Sequence, residues 1–273
     1  MKTKRNVSIF IVVTLASGWL GVLIDRLLPN QPDGDSLGMG LWLILPLLTA
    51  VILTLTGRDK KETGLRPNFK GNGKWYLLSL LIYPVITAVT VGPALLFDCV
   101  DVSAFTINEF LSLAAFSIAV NFIRNIFEEF AWRGFLAAKL IDLKLNDWLV
   151  YFISGLVWAL WHAAYYFVFL PDQYFKTISR GGMVLSGCIL MLCWTVMYVE
   201  VYRLTKSVWP CVLMHAIEDG IPTVLVTTGG FLTFTGGQDL WWNPVSGIVA
   251  TVLFLAIGFL LRSVRIKKES QII

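Results

Sequence analysis

Four ionisable side chains lie close together in an otherwise apolar stretch, residues 121–134, which we call the charged run. They are Arg124, Glu128, Glu129 and Arg133. An ionisable side chain inside a membrane-spanning helix costs roughly 2.5–3.5 kcal/mol on insertion scales, so such residues usually face the protein interior or a wet cavity. The charged run is therefore the first candidate for a functional site.

The spacing within the charged run predicts which side chains pair. Glu129 lies four residues before Arg133, in the order that favours an ion pair along a helix. Glu128 has Arg124 four residues before it, and Asn125 lies on its face of the helix. Two interpretations stay open at this point: an acid–base site, or two structural ion pairs where the helix emerges toward charged headgroups.

The composition indicates a membrane protein. Of the 273 residues, 56 % are hydrophobic and 15 % charged, and the mean hydropathy is +0.71. Soluble domains carry about 25 % charged residues. The net charge of +4 is small, and the basic residues cluster at the termini and in a few loops, which indicates membrane orientation rather than nucleic-acid binding. We expect the lipid bilayer, and no nucleic acid, among the partners.

Windows of about 20 apolar residues, the length that crosses a bilayer, predict eight helices. The windows are residues 7–28, 39–56, 75–97, 107–127, 148–170, 183–203, 208–228 and 244–262. The fourth helix is expected to continue past its window to about Leu140. The predicted fold is all-α: a polytopic membrane protein with about eight transmembrane helices enclosing a polar cavity, built as a single integral membrane domain over residues 1–273.

Loop charges test this topology, because cytoplasmic loops collect Lys and Arg. With eight spans, these basic residues share one side: Lys2, Lys4, Arg5, Arg58, Lys60, Lys61, Arg66, Lys70, Lys74, Lys139, Lys144, Arg203, Lys206, Arg262, Arg265, Lys267 and Lys268. The opposite loops hold Asp33, Asp35, Asp98, Asp101 and Asp239, with Lys176 and Arg180 as basic exceptions. Both termini are therefore expected in the cytoplasm. Eight spans without an organelle-targeting signal favour a bacterial plasma membrane.

The two histidines of the chain fall inside predicted spans. At 1.5 Å per residue, Glu128, His162 and His215 lie about 15, 21 and 10 Å from the cytoplasmic ends of their helices. His215 and Asp219 share a helical face, so the carboxylate can accept a hydrogen bond and fix the imidazole tautomer. A single buried histidine is more often structural, but the joint occurrence of these groups favours an acid–base site.

The ordered set of motifs resembles the CPBP intramembrane proteases, the family of CaaX prenyl proteases and bacteriocin-processing or immunity proteins, also called the Abi family. The core that carries the resemblance spans residues 121–220. Its motifs are EExxxR at Glu128, Glu129 and Arg133, (F/W)xxxH at Trp158 and His162, and HxxxD at His215 and Asp219.

Two positions depart from the usual motifs. Trp158 replaces the usual Phe, which preserves an aromatic wall while changing the shape of the pocket. Asp219 stands where prenyl-protease members often have Asn, and an ionised carboxylate accepts hydrogen bonds but donates none. Asp219 is therefore expected to be protonated, to orient His215 as a charged donor, or to ligate a metal.

The resemblance implies an intramembrane endopeptidase that acts on a membrane-associated peptide or a lipidated protein in a cavity facing the cytoplasm. Glu128, assisted by His162, would take a proton from water, and the hydroxide would attack the substrate carbonyl. His215, held by Asp219, would stabilise the oxyanion. The remaining candidates, which support or line the site, are Glu129, Arg133, Arg124, Asn125 and Trp158.

Metal dependence and activity stay open at this stage. Glu128, His162 and His215 are candidate zinc ligands with an open position, but no HExxH motif is present and a metal-free glutamate mechanism needs the same residues. One alternative is a non-catalytic bacteriocin-immunity or scaffold protein. Another is a proton-coupled transporter, which predicts inverted repeats and broken helices; the sequence has no such repeats.

Overall fold

The computed structural model describes residues 2–28, 30–32, 36–57, 63–175 and 178–271, and most of these residues are helical. The α-helices are α1 (Lys2–Leu27), α2 (Leu37–Thr56), α3 (Gly73–Leu96), α4 (Ile107–Ala131), α5 (Ala138–Asp142), α6 (Asp147–Trp161), α7 (Arg180–Thr205), α8 (Trp209–Gly220), α9 (Asp239–Trp242) and α10 (Ile248–Ser270). Three π-helical segments, Trp132–Ala137, Tyr165–Phe169 and Val224–Thr228, and one 3₁₀ turn, Asp172–Phe175, accompany them. The two short strands, β1 (Val100–Asp101) and β2 (Thr233–Phe234), pair antiparallel. The all-α prediction is confirmed.

Seven helices in the described part of the chain are long and apolar enough to cross a membrane. They are Lys2–Leu27, Leu37–Thr56, Gly73–Leu96, Ile107–Asp142, Asp147–Phe169, Arg180–Thr205 and Ile248–Ser270. The protein is therefore a polytopic, multi-pass membrane protein. The fourth of these spans continues through the charged run to Asp142, close to the predicted end at Leu140.

The predicted window at residues 208–228 is not among these seven helices of the described residues, so the eighth span stays a prediction. Helix α8 ends at Gly220 after 12 residues, and a π-helical segment of 5 residues, Val224–Thr228, follows. Pro222 lies between them, and a proline lacks the N–H that would continue a helical hydrogen-bond ladder. Mean hydropathy over a window measures how apolar a segment is and does not detect a break between two helical segments.

Several charges used in the topology argument lie outside the described residues. They are Asp33, Asp35, Arg58, Lys60, Lys61 and Lys176. The orientation of the termini and the enclosed polar cavity stay predictions.

The chain divides into two compact units, with boundaries inside α4 and α7. The first unit comprises Met1–Thr63 and Phe127–Thr195. In it, α1 and α2 approach so closely that a Cβ at Gly21 would collide with the carbonyl oxygen of Gly38. Such small-residue contacts are typical of helix pairs in membranes. Trp42 and Trp161 stack with ring centroids 4.2 Å apart, and each indole N–H donates to the other's backbone carbonyl, at 3.0 and 3.2 Å.

The second unit comprises Gly64–Ile126 and Val196–Ile273. Its aromatic core includes Tyr83 and Phe254, whose ring centroids are 5.0 Å apart. A buried ion pair joins Glu200 of α7 to Arg265 of α10, with Nε 2.6 Å from Oε2. The connection between α7 and α8 is fixed by Ser207, whose hydroxyl donates to the carbonyl oxygen of Arg66 at 2.8 Å.

Candidate active site

The two adjacent glutamates of α4 have different partners. Glu129 is fully buried, and its Oε1 accepts a hydrogen bond from Nη1 of Arg133 at 2.9 Å, which confirms the predicted ion pair. Glu128 is 5 % exposed. Within the ranges that the structure describes, Glu128 forms no ion pair, and its Oε2 accepts a hydrogen bond from the indole Nε1 of Trp158 at 3.3 Å. Glu128 is thus a buried carboxylate held by a neutral donor.

Trp158 connects the first two motifs. It lies on α6 and is 1 % exposed. The guanidinium carbon of Arg133 lies 4.2 Å from the centroid of a Trp158 ring, in cation–π contact. The indole therefore contacts both the arginine of the EExxxR motif and the first of its two glutamates.

The tautomer of His162 follows from its contact with the backbone. His162 is half-buried at the C-cap of α6, and its Nδ1 lies 2.9 Å from the carbonyl oxygen of Trp158. A carbonyl oxygen only accepts, so Nδ1 carries the hydrogen and Nε2 of the neutral ring is an acceptor. Trp161 packs edge-on against the imidazole at 4.7 Å and Tyr166 stacks on it at 5.7 Å. These rings restrict the rotation of the imidazole.

The third motif lies in the second unit, on α8. Asp219 accepts a hydrogen bond at Oδ2 from the amide nitrogen of Asn125 at 2.7 Å. The hydroxyl of Ser117 donates to the backbone carbonyl of Asp219 at 3.1 Å. His215 is 7 % exposed, and the ring of Tyr198 packs edge-on against it at 5.9 Å. Because Asn125 donates to it, the Asp219 carboxylate is oriented as an acceptor.

Sequence reasoning missed Glu218, which is 4 % exposed and accepts a hydrogen bond at Oε1 from the Thr223 hydroxyl at 2.7 Å. Ligand atoms of His215, Glu218 and Asp219 lie within 4.8 Å of one another. The signal was available, because Glu218 lies three residues after His215 on the helix face that Asp219 shares.

One imidazole and two carboxylates fit a divalent cation. A zinc ion held by His215, Glu218 and Asp219 would act there as a Lewis acid. The metal set predicted from the sequence, Glu128, His162 and His215, has members in both units and stays a prediction.

Each motif-bearing helix continues into a π-helical segment. Trp132–Ala137 includes Arg133, Tyr165–Phe169 begins three residues after His162, and Val224–Thr228 begins five residues after Asp219. π-Helical turns are rare and occur frequently at functional sites. The recurrence of a π-helical segment at all three motifs supports a functional role for the segments that carry them. The apolar periodicity of the sequence did not indicate these π-helical segments.

The predicted site residues divide between the two units. The first unit holds Glu128, Glu129, Arg133, Trp158 and His162. The second unit holds Arg124, which is half-buried on α4, together with Asn125, His215 and Asp219. The first set offers proton acceptors, a buried carboxylate and an imidazole Nε2. The second set offers an imidazole beside a carboxylate.

Comparison with known proteins identifies one family. Residues 110–221 match the family model described as type II CAAX prenyl endopeptidase Rce1-like, and the matched segment contains all three motifs. No curated protein matches the chain. The similarity over residues 110–221 therefore agrees with the resemblance that the motifs predicted.

Proposed function

We propose that this protein is an intramembrane endopeptidase that hydrolyses a peptide bond near the C-terminus of a prenylated protein or peptide, with a water molecule activated by Glu128. The observation that carries the proposal is the burial of the Glu128 carboxylate beside a neutral donor. Buried charges are normally paired, yet this carboxylate, 5 % exposed, has a neutral indole as its donor and no ion pair within the described residues. A buried carboxylate of this kind is available to accept a proton.

The first step is attack on the substrate carbonyl. Glu128 takes a proton from water as the hydroxide adds to the carbonyl carbon, a role worth about 10²–10⁴-fold in rate for a positioned base. His162, with its hydrogen on Nδ1, presents Nε2 as a second acceptor for the same water. The ion pair between Glu129 and Arg133 neutralises the neighbouring charge and anchors the helix that carries Glu128.

The second step is collapse of the tetrahedral intermediate. His215 donates a hydrogen bond to the oxyanion, a contact worth about 2.7–4 kcal/mol for a well-placed donor. The Asn125 amide keeps Asp219 an acceptor, which favours Asp219 as the carboxylate that orients His215 as a charged donor. As the C–N bond breaks, the proton held by Glu128 passes to the leaving amine and Glu128 regains its charge. The new carboxylic acid carries the oxygen of water and releases its remaining proton to solvent.

The membrane setting is part of the same proposal. The protein acts on a membrane-associated peptide or lipidated protein from a cavity that faces the cytoplasm, with both termini cytoplasmic, in a bacterial plasma membrane. The basic residues at both ends of the chain support this orientation. It requires that α8 and the π-helical segment after it together cross the bilayer.

The test uses a farnesylated CaaX peptide tethered to a detergent micelle, with its unfarnesylated form as the comparison and mass spectrometry to identify the cleaved bond. Purified wild type is expected to cleave the farnesylated peptide, and Glu128→Gln is expected to leave it intact. The matched control is Glu109→Gln, the same chemical change at an exposed position on α4.

The outcomes of this test distinguish the proposed function from its alternatives. Equal cleavage by wild type and Glu128→Gln removes Glu128 from the mechanism. Absence of cleavage by wild type overturns the protease proposal in favour of a non-catalytic scaffold protein. Parallel reactions with a chelator distinguish a metal-dependent site from a metal-free glutamate.

A further inference from the structure

The contact between Trp158 and Glu128 has fixed donor and acceptor roles. The indole Nε1 lies 3.3 Å from Oε2 of Glu128, and the two residues are 1 % and 5 % exposed. An indole N–H only donates, and an ionised carboxylate only accepts. The phenylalanine usual at this position in the resembling family has no polar hydrogen to offer. This chain therefore has a donor where the motif normally has an apolar ring.

The indole is held in the orientation that directs its N–H at the carboxylate. The guanidinium carbon of Arg133 lies 4.2 Å from the centroid of a Trp158 ring, and Arg133 is itself paired with Glu129 at 2.9 Å. The ring of Trp194 packs on Trp158 at 6.1 Å. Rotating the indole away from Glu128 would break the cation–π contact and the ring packing together.

The backbone of Trp158 has a separate role. Its carbonyl oxygen accepts from Nδ1 of His162 at 2.9 Å. A substitution of the side chain leaves this carbonyl in place, so the contact to Glu128 can be removed while the contact to His162 is kept. The two contributions of Trp158 are thus experimentally separable.

We infer that Trp158 is a positioning residue for Glu128: its indole N–H holds Oε2 and leaves Oε1 as the oxygen that takes the proton from water. The inference rests on the proposed function for its catalytic meaning and on the hydrogen bond for its geometry. The competing interpretation is that Trp158 contributes only an aromatic wall, as the usual Phe would.

The kinetic test removes the N–H and keeps the ring. Trp158→Phe keeps an aromatic ring, and site-specific incorporation of 3-benzothienylalanine at position 158 keeps the two-ring shape while sulfur replaces the N–H. Both are expected to lower kcat for the farnesylated CaaX peptide by about tenfold, the value of a hydrogen bond to a charged group, with KM unchanged.

The matched control is Trp75→Phe. Trp75 is 6 % exposed, and its indole N–H has no hydrogen-bond partner among the residues described. This variant is expected to keep the wild-type kcat. Wild-type kcat in the benzothienylalanine protein would contradict the inference and leave the aromatic wall as the role of Trp158.

A second test needs no proteolysis. In the ¹H–¹⁵N spectrum of the full chain in detergent, the resonance lost in Trp158→Phe identifies the Trp158 indole. Glu128→Gln is expected to shift this resonance and to leave that of Trp75 unmoved. An unmoved Trp158 resonance overturns the inference even where the peptide is cleaved, and a shifted one upholds it even where the proposed function fails.

Discussion

Glu128 and Glu200 are both buried carboxylates on long membrane helices, and they are stabilised in opposite ways. Glu200 is fully buried and accepts two hydrogen bonds from one guanidinium, Nε of Arg265 at 2.6 Å and Nη2 at 3.2 Å. Glu128 is 5 % exposed, accepts from the neutral indole of Trp158, and has no ion pair in the described ranges. The first carboxylate is neutralised in place, and the second is not.

We infer that this difference separates a structural charge from a reactive one. A guanidinium that donates in fork geometry supplies the opposite charge and holds a carboxylate in one orientation. An indole orients a carboxylate without supplying the opposite charge. Burial is nearly the same at the two sites, so burial alone does not identify a functional acid. Its partner does.

The largest effect is expected from the substitution of Glu128. Replacing it with Gln removes the base and keeps the size of the side chain, so kcat for the farnesylated peptide is expected to fall by about 10²–10⁴-fold. Stopped-time assays analysed by mass spectrometry measure the rate. An unfolding temperature close to that of the wild type would exclude misfolding as the cause.

The next effect falls on stability and occurs at Glu200. Glu200→Gln leaves the buried Arg265 guanidinium with the half-exposed Glu269 as its remaining counter-charge, which is expected to lower the free energy of unfolding by about 3 kcal/mol. Denaturation in mixed micelles, followed by circular dichroism, measures it. The control is Glu269→Gln, because Glu269 contacts the same Arg265 at 2.8 Å from a side chain that is 52 % exposed. A loss of about 0.5 kcal/mol or less is expected there.

A double variant removes both charges of the ion pair between Glu200 and Arg265. In the double variant Glu200→Leu with Arg265→Met, no buried charge is left unpaired, so the stability is expected to return to within about 1 kcal/mol of the wild type. The same unfolding assay applies. If the double variant is instead as unstable as the sum of its single changes, the ion pair is a net source of stability rather than a pair of mutually neutralised charges.

A smaller effect concerns Asn125, which donates to Asp219 at 2.7 Å. Asn125→Ala is expected to lower kcat by about tenfold, because Asp219, the carboxylate that we propose orients His215, loses its buried donor. Asn121→Ala is the control, since Asn121 lies one turn earlier on α4 and donates to the hydroxyl of Ser117 at 3.0 Å. Equal losses in the two variants would assign Asn125 a purely structural role.

The smallest effect is expected beside the Glu200 ion pair, at Lys206. Burial, reinforced by Arg203, holds the pKa of the Lys206 amine below its usual range. Its φ of 54° lies in the left-handed region that favours glycine. Because Lys206 is exposed, solvent screening keeps the contribution of its amine small. The change in backbone strain alone is expected to make Lys206→Gly about 1 kcal/mol more stable at neutral pH, or about 2–4 °C in unfolding temperature.

The stability gained in Lys206→Gly is expected to depend on pH. A lysine whose pKa is lowered on folding destabilises the folded state while it is protonated, and this penalty disappears as pH rises through the folded-state pKa. The advantage of Lys206→Gly over the wild type should therefore shrink at alkaline pH. Lys144→Gly, with φ 55° at an exposed position, measures the backbone contribution at neutral pH.

The local parts of the fold and site could be predicted from sequence. The pairing of Glu129 with Arg133 follows from their spacing on a helix, and the continuation of the fourth span follows from the uninterrupted helical pattern. Pro222 can be read from the sequence, but the apolarity of residues 208–228 predicted a helix that continues through it. Spacing and hydropathy report on neighbours within a turn or two, and these predictions needed nothing more.

The contacts between distant residues could not be predicted in the same way. Trp158 and Glu128 are 30 positions apart, and no periodicity relates them; an aromatic wall was the most that residue type alone could suggest. The π-helical segments depend on how each helix packs near its end. Glu218 was overlooked for a different reason, since the HxxxD pattern directed attention to Asp219 beside it.

We infer that Glu128 is the reactive carboxylate and that Glu200 is the structural one. The most direct test compares Glu128→Gln and Glu200→Gln in one assay of farnesylated CaaX peptide cleavage, with each rate divided by the fraction of protein that is folded. We expect the rate of Glu200→Gln to stay within about threefold of the wild type and that of Glu128→Gln to fall by about 100-fold or more. Equal rates per folded molecule would contradict it.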